Sequence, residues 1–352
     1  MLLCGITGCA SDIPAVQTES PVQAESAATQ APEPTPTAPR ETEPPKPEGY
    51  PYLKVSAIAL SVVGESEDIY LGLTPREDVR FESDDEAVAT FDGGVLTATG
   101  VGKTTVRAVC GDNIVECQVS CLANTRDELL AMPNSVLAQP KRLPPVVDLS
   151  TPCDSFDDAA IIGDSITLYM FQWESKGNQL GDVVFLTRGG VSLNGFVKRF
   201  KNMYYRGSEM YIEDAIAATG VGNIYIMLGQ NDLTSKARTI VMDNWVTLLE
   251  RIREKSPGVN IYIQSCIPEY THDDSLNDKN AFIEEYNHTL RKFAADNDCH
   301  FIDLGYYIRD HKGRMPEIYN QGNYHMNEAG CLTWMQILRF YREYELNGGD
   351  LS

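Results

Sequence analysis

Two hydrophobic periodicities divide the chain. Between residues 51 and 122 short apolar–polar alternations recur at 55–60, 68–73, 88–91, 95–98, 104–109 and 114–121, each reading as a strand. Turn residues separate them at Gly64, Asp92-Gly93-Gly94, 100–102 and Gly111-Asp112-Asn113. Short strands at this spacing predict a small β-sandwich. Between 153 and 347 the pattern changes to continuous apolar runs, at 159–162, 183–186, 223–228, 259–263 and 300–304. Helical stripes lie between these runs. Val241, Trp245, Leu248, Leu249 and Ile252 follow the 3.6-residue period until Ser256-Pro257-Gly258 stops it, and Phe282, Tyr286, Leu290 and Phe293 form another stripe. A last helix is predicted over about 327–346. Runs that are apolar on both faces are buried parallel strands, so this part is predicted to be an α/β domain built on a doubly wound, five-stranded parallel sheet. Residues 123–152, with Pro133, Pro140, Pro144, Pro145 and Pro152, read as a connector carrying a short helix at 125–132.

Composition adds export and removes some partners. The 352 residues are 43% hydrophobic and 22% charged, with a formal charge of −21. A surface this acidic repels nucleic acid and anionic lipid, and no apolar run is long enough to span a bilayer. Residues 11–50 hold nine prolines, seven acids and two bases, which cannot bury enough to fold and predict an extended, disordered tether over 10–50. Just before it, Ile6-Thr7-Gly8-Cys9 resembles the lipobox of bacterial lipoproteins, which implies lipid on Cys9 and a membrane-anchored protein outside the cytoplasm. Residues 1–9 are then a truncated signal, because eight residues before the cysteine are too few and lack a basic region. The nine cysteines are dispersed. Cys117 and Cys121 share the inward face of one strand as small buried hydrophobes, and a Cys110–Cys117 bridge is the minor alternative.

In the β-region Gly100-Val101-Gly102-Lys103-Thr104-Thr105 imitates a phosphate-binding loop, but position 97 is Thr97, where the pattern needs glycine, and a strand follows the lysine. The stretch instead resembles the bacterial immunoglobulin-like group 2 domain. That likeness is carried by 81–90 before a glycine turn, then 94–98, 100–106 and the closing Cys117-Gln118-Val119. It implies a spacer or adhesion module over 51–122.

Chemistry gathers where the parallel strands end, which is where open α/β sheets place their sites. The blocks in order are Gly163-Asp164-Ser165-Ile166-Thr167, Arg188-Gly189-Gly190-Val191-Ser192, Gly229-Gln230-Asn231-Asp232 and His325-Met326-Asn327-Glu328-Ala329-Gly330. A serine at a helix N-terminus, a glycine-loop N–H and an asparagine amide supply three donors for an oxyanion, and a histidine can take the serine proton. The elbow G-x-S-x-G is absent, because position 167 is threonine.

The four blocks resemble the SGNH (GDSL) hydrolase family across 153–347, implying its flavodoxin-like fold. Carried over, Ser165 is the nucleophile and His325 the base. Ser165, Gly190 (in preference to Gly189) and Asn231 form the oxyanion hole, while Asp164 and Asp232 orient loops. No metal or cofactor is implied. The family has aspartate three residues before the histidine, where this chain has Gly322. A backbone carbonyl, Asp303, Asp310 or Glu317 is then expected to hold the imidazole. The other histidines read blandly: His272-Asp273-Asp274 as a solvated loop rather than a metal site, His288 on an exposed helix face, His300 at a strand start, His311 in the basic loop 309–314. Tyr169, Met170 and Trp173 read as core. The function implied is hydrolysis of short acyl esters, acetyl foremost, on a cell-wall or dietary polysaccharide or another small ester. A binding or adhesion protein with a degraded site, and an acyltransferase using the same residues, are the alternatives.

Overall fold

The structure, a computed structural model, describes residues 49–151, 153–233, 238–272, 278–322 and 324–351. Cys9, the lipobox and the tether lie outside the described residues, as do Asp273, Asp274 and Asn323.

The first region contains β1 (Ala57–Val62), β2 (Ser66–Asp68), β3 (Arg80–Ser83), β4 (Ala89–Asp92), β5 (Val95–Ala98), β6 (Gly102–Cys110) and β7 (Asn113–Ala123). The connector forms α1 (Arg126–Leu130), α2 (Asn134–Leu137) and β8 (Arg142–Leu143). One sheet runs β3-β6-β7-β1-β8 and the other β2-β5-β4, with Leu60, Leu96, Val106 and Cys117 buried in their core. The strand predicted at 68–73 does not form; β2 lies earlier, and the Asp68 carboxylate that ends it accepts from Tyr70 N at 3.1 Å and turns the chain. Two strands were not legible. β3 hides its one apolar contact, Phe81, among charges, and Phe81 packs edge-on against Tyr70 and Phe91. The two-residue β8 pairs with β1, far away in sequence. Lys103 lies inside β6, so no helix follows the imitation phosphate loop. Cys110 and Cys117 are free thiols, because the ladder sets Cys117 opposite Val106 rather than near Cys110.

The second region runs β9 (Ala159–Gly163), α3 (Ser165–Gly177), β10 (Val184–Thr187), α4 (Leu193–Val197), the hairpin β11 (Met203–Tyr205) and β12 (Ser208–Met210), α5 (Ile212–Thr219), β13 (Asn223–Met227), α6 (Arg238–Lys255), β14 (Asn260–Gln264), α7 (Asp278–Asp296), β15 (His300–Ile302), α8 (Leu304–Tyr307), the hairpin β16 (Asn320–Gly322) and β17 (His325–Met326), and α9 (Glu328–Leu346). All five predicted core strands form and pair in parallel, in the order β10-β9-β13-β14-β15. This is the doubly wound order whose reversal leaves a crevice beyond the strand ends at β9. Alternate side chains feed two cores. Ile161, Tyr225 and Tyr262 face α3 and α9, while Ile162, Ile226 and Ile263 face α5, α6 and α7. The predicted α6 stripe, Val241 to Ile252, is buried in the second core.

The β-region and the α/β region share the first core. Tyr52 packs against Phe340 and Tyr344 of α9. Tyr307 donates its hydroxyl to Lys54 O at 3.0 Å and Tyr344 donates to Leu71 O at 2.9 Å. Glu67 accepts from Arg142 and from the Tyr306 hydroxyl, and the Arg142 guanidinium lies over the Tyr306 ring.

Candidate active site

Strand β9 delivers Ser165 to the first position of α3. Gly163 is required for the turn, since a Cβ there would meet Thr167 Oγ1 at 2.0 Å and Met227 O at 2.9 Å. Asp164 caps the helix, its carboxylate accepting from Ile166 N at 2.9 Å. Ser165 therefore sits among the unpaired N–H groups and positive dipole end of a 13-residue helix.

The loop after β10 passes this serine. A Cβ on Gly189 would lie 3.9 Å from Ser165 Cβ, and Gly190 has φ +74°, a left-handed conformation that suits glycine. After β13, Gly229 at φ +113° enters a single turn over Gln230–Asp232. Two carboxylates lace these blocks together. Asp164 accepts from Asn231 Nδ2 at 2.9 Å, and Asp232 accepts from Leu193 N at 2.9 Å and Asn194 N at 3.0 Å. Burial, reinforced by the charge of Asp232, pushes the Asp164 carboxyl up to about 6; burial raises Asp232 as well. The Asn231 amide also donates to Val191 O at 2.9 Å, so both of its protons have protein acceptors. An oxyanion must displace one of them.

His325, on β17, brings Nε2 to 3.0 Å from Ser165 Oγ. Burial lowers its pKa, and no carboxylate among the described residues reaches it. Gly322 stands opposite His325 in the hairpin at φ +152°, backbone that only glycine adopts easily. The acids expected to replace the missing aspartate are elsewhere. Asp303 caps α8 and pairs with Arg291, Asp310 pairs with buried Arg314, and Glu317 is exposed at the start of a short turn. The imidazole is instead flanked by rings: Tyr169 stacks on it at 4.5 Å and 20°, and Tyr324 tilts against it at 4.8 Å.

Tyr169, expected in the core, is half-buried against His325; its signal in the sequence is the i, i+4 step from Ser165, which puts both on one face of α3. Met170 is core, and Trp173 is half-buried under Lys176. The remaining histidines stay apart from Ser165. His272 contacts the Tyr270 hydroxyl, His288 is exposed, His300 stacks on Tyr262, and His311 Nδ1 lies 3.1 Å from Ser61 Oγ of the β-region. Two cavities open on the adjoining loops, neither of them lined by Ser165 or His325. One of about 550 Å³ lies by Gly322 among Glu269, Tyr270, His272, Lys279 and Asn320, and one of about 320 Å³ by Gly189 and Gly190. Among the described residues no group of three or more His, Cys, Asp or Glu is arranged to hold a metal. A serine in contact with an imidazole at a helix N-terminus has the nucleophile and base that acyl transfer needs.

Residues 161–331 match the model of the GDSL-like lipase/acylhydrolase family. Solved structures with similar folds include a GDSL-like lipase from Bacteroides thetaiotaomicron, 13% identical over 55% of this chain and 91% of its own, with a TM-score of 0.44. An acetyl xylan esterase is 17% identical over 52% of this chain and 98% of its own, at TM-score 0.41. No match to a curated protein was found.

Proposed function

Taking residues 161–331 as a GDSL-like lipase/acylhydrolase domain, we propose that this protein is a serine esterase that removes short acyl groups, acetyl foremost, from a polysaccharide or another small ester. The observation that carries the reading is the 3.0 Å contact between Ser165 Oγ and His325 Nε2 at the start of α3. Ser165 attacks the ester carbonyl while His325 takes its proton. The tetrahedral oxyanion is held by the N–H groups of Ser165 and Gly190 and by the Asn231 amide, which releases Val191 O to do so. His325 returns the proton to the leaving alcohol, and water, activated by the same imidazole, clears the acyl-serine. Asp164 and Asp232 act on the loops, not on the substrate.

Orientation of the imidazole falls to the Tyr169 ring. It limits rotation of His325 and gives the imidazolium an aromatic face at cation–π distance. It cannot supply the charge of a triad acid, whose loss costs up to about 10⁴-fold in kcat, so a slow enzyme is expected. That deficit also supports the rival reading, a carbohydrate-binding protein with a degraded site. An immunoglobulin-like spacer and a lipid on Cys9 would place the domain on the cell surface.

The deciding experiment is p-nitrophenyl acetate hydrolysis by the full chain beside Ser165→Ala and His325→Ala. Turnover by the wild type and background rates for both variants are expected. Three equal rates from folded proteins would remove the esterase reading and leave the binding protein.

A further inference from the structure

The substrate's charge is written next to the oxyanion loop. Between Asp182 and Glu209 the chain runs 26 residues with five cations, Arg188, Lys198, Arg199, Lys201 and Arg206, and no acid, in a protein with 50 acidic and 29 basic residues. The fold brings this run to the site. The 320 Å³ cavity at Gly189 and Gly190 is lined further by Arg188, Lys198, Phe200 and Asn202. Arg188 also holds the β11–β12 hairpin against this wall, pairing with Glu209 at 2.7 Å and lying over the Tyr204 ring. Arg199 is spent on buried Glu213 at 2.8 Å. Lys198, Lys201 and Arg206 are exposed and have no acidic partner among the described residues. Phe200, 58% exposed, offers an aromatic face on the same cavity wall as Lys198.

Cations beside exposed aromatic faces suit a ligand made of sugar rings carrying negative groups. The remaining acidic surface does not cancel this patch, because charges more than about 8 Å away are screened at physiological ionic strength. Resting on the esterase reading, we propose that the acylated substrate is an anionic polysaccharide. Its carboxylates or phosphates meet Lys198, with Lys201 and Arg206 on the flank, and its rings stack on Phe200.

The test measures acetyl release by the full chain from acetylated polygalacturonate, an acetylated polyol-phosphate polymer and acetylated xylan. The two anionic polymers separate carboxylate from phosphate recognition, and a preference for either over xylan supports the proposal. From low salt to about 0.3 M NaCl, kcat/KM on the preferred anionic polymer should fall while that on xylan holds. The double variant Lys198→Glu/Lys201→Glu should lower the anionic-to-neutral ratio of kcat/KM about tenfold, mainly through KM, and Lys198→Arg/Lys201→Arg should keep it. An unchanged ratio overturns the proposal. If no polymer is deacetylated, p-nitrophenyl acetate separates the two readings: no turnover of it either means that the esterase reading is what has failed, and turnover of it puts only the polymer assignment to the next measurement. Calorimetric binding of unacetylated polygalacturonate and of polyol phosphate to Ser165→Ala then decides. Binding of either that weakens in the added Lys198→Glu/Lys201→Glu background supports an anionic-polysaccharide site. No binding, or tighter binding of a single-stranded DNA oligomer, overturns it.

Discussion

His325 has aromatic neighbours in place of a carboxylate, and under the proposed esterase reading that exchange has measurable consequences. Stacked aromatic contacts contribute about 0.5–1.5 kcal/mol, so Tyr169→Leu should lower kcat for p-nitrophenyl acetate about tenfold with KM little changed. Tyr169→Phe keeps the ring and should stay within about twofold. Equal rates for the Leu and Phe variants would reduce Tyr169 to packing. The pH profile belongs to the same scale. Burial favours neutral imidazole, so the acid limb of kcat/KM should fall at an apparent pKa below the ordinary histidine value of 6.5. An NMR titration of His325 checks the assignment, because Asp164 titrates nearby, at about 6. Asp164 affects stability with the opposite sign to a salt-bridged acid. Its carboxyl is raised from 3.8, so its stabilising contribution is whole below pH 3.8 and is lost as pH rises through about 6.

The site at the level of elements is three strand-end loops and one hairpin, each held by a local device. Asp232 holds the start of α4, and with it the Gly189-Gly190 loop. Asp232→Ala strands the Leu193 and Asn194 N–H groups and should cost about 2–3 kcal/mol in urea unfolding, with esterase activity falling alongside. In the β16–β17 hairpin, the missing aspartate cannot simply be restored. Gly322 sits at φ +152°, where a side chain costs on the order of 1–3 kcal/mol, so Gly322→Asp should lower Tm without raising kcat. A gain in kcat would show that the hairpin can accept a side chain at position 322.

At the largest scale, the described residues from 49 onward form two regions that share a core. Cutting at residue 123 would expose the Phe340 and Tyr344 surface that Tyr52 covers and remove Glu67 from Arg142. Glu67→Ala in the full chain leaves a largely buried arginine unpaired and should cost on the order of 3 kcal/mol, read as a lower urea midpoint. His311 makes the same boundary acid-sensitive. Burial, helped by Lys141, lowers it from 6.5 to about 4, so the stability it contributes is present above 6.5 and is lost as pH falls through about 4. Its Ser61 contact joins the regions, and His311→Gln should flatten that part of the acid unfolding curve.

Local pattern was enough for what depends on local pattern. The five buried strands, the α6 and α7 stripes, the helix start at Ser165 and the order of the four motif blocks were all legible, because period and capping are properties of neighbouring residues. Phe81 and Arg142–Leu143 were hidden because their strands are made by partners remote in sequence rather than by their own alternation. The same limit applied at the site. That Asp303 and Asp310 would be engaged elsewhere, that Asn231 would already have two acceptors, and that a ring would stack where a carboxylate was expected all depend on which surfaces the folded chain presses together. Composition carried the acid-free run from 183 to 208 throughout, but only the placement of Arg188, Lys198 and Phe200 beside Gly190 turned it into one wall of a site.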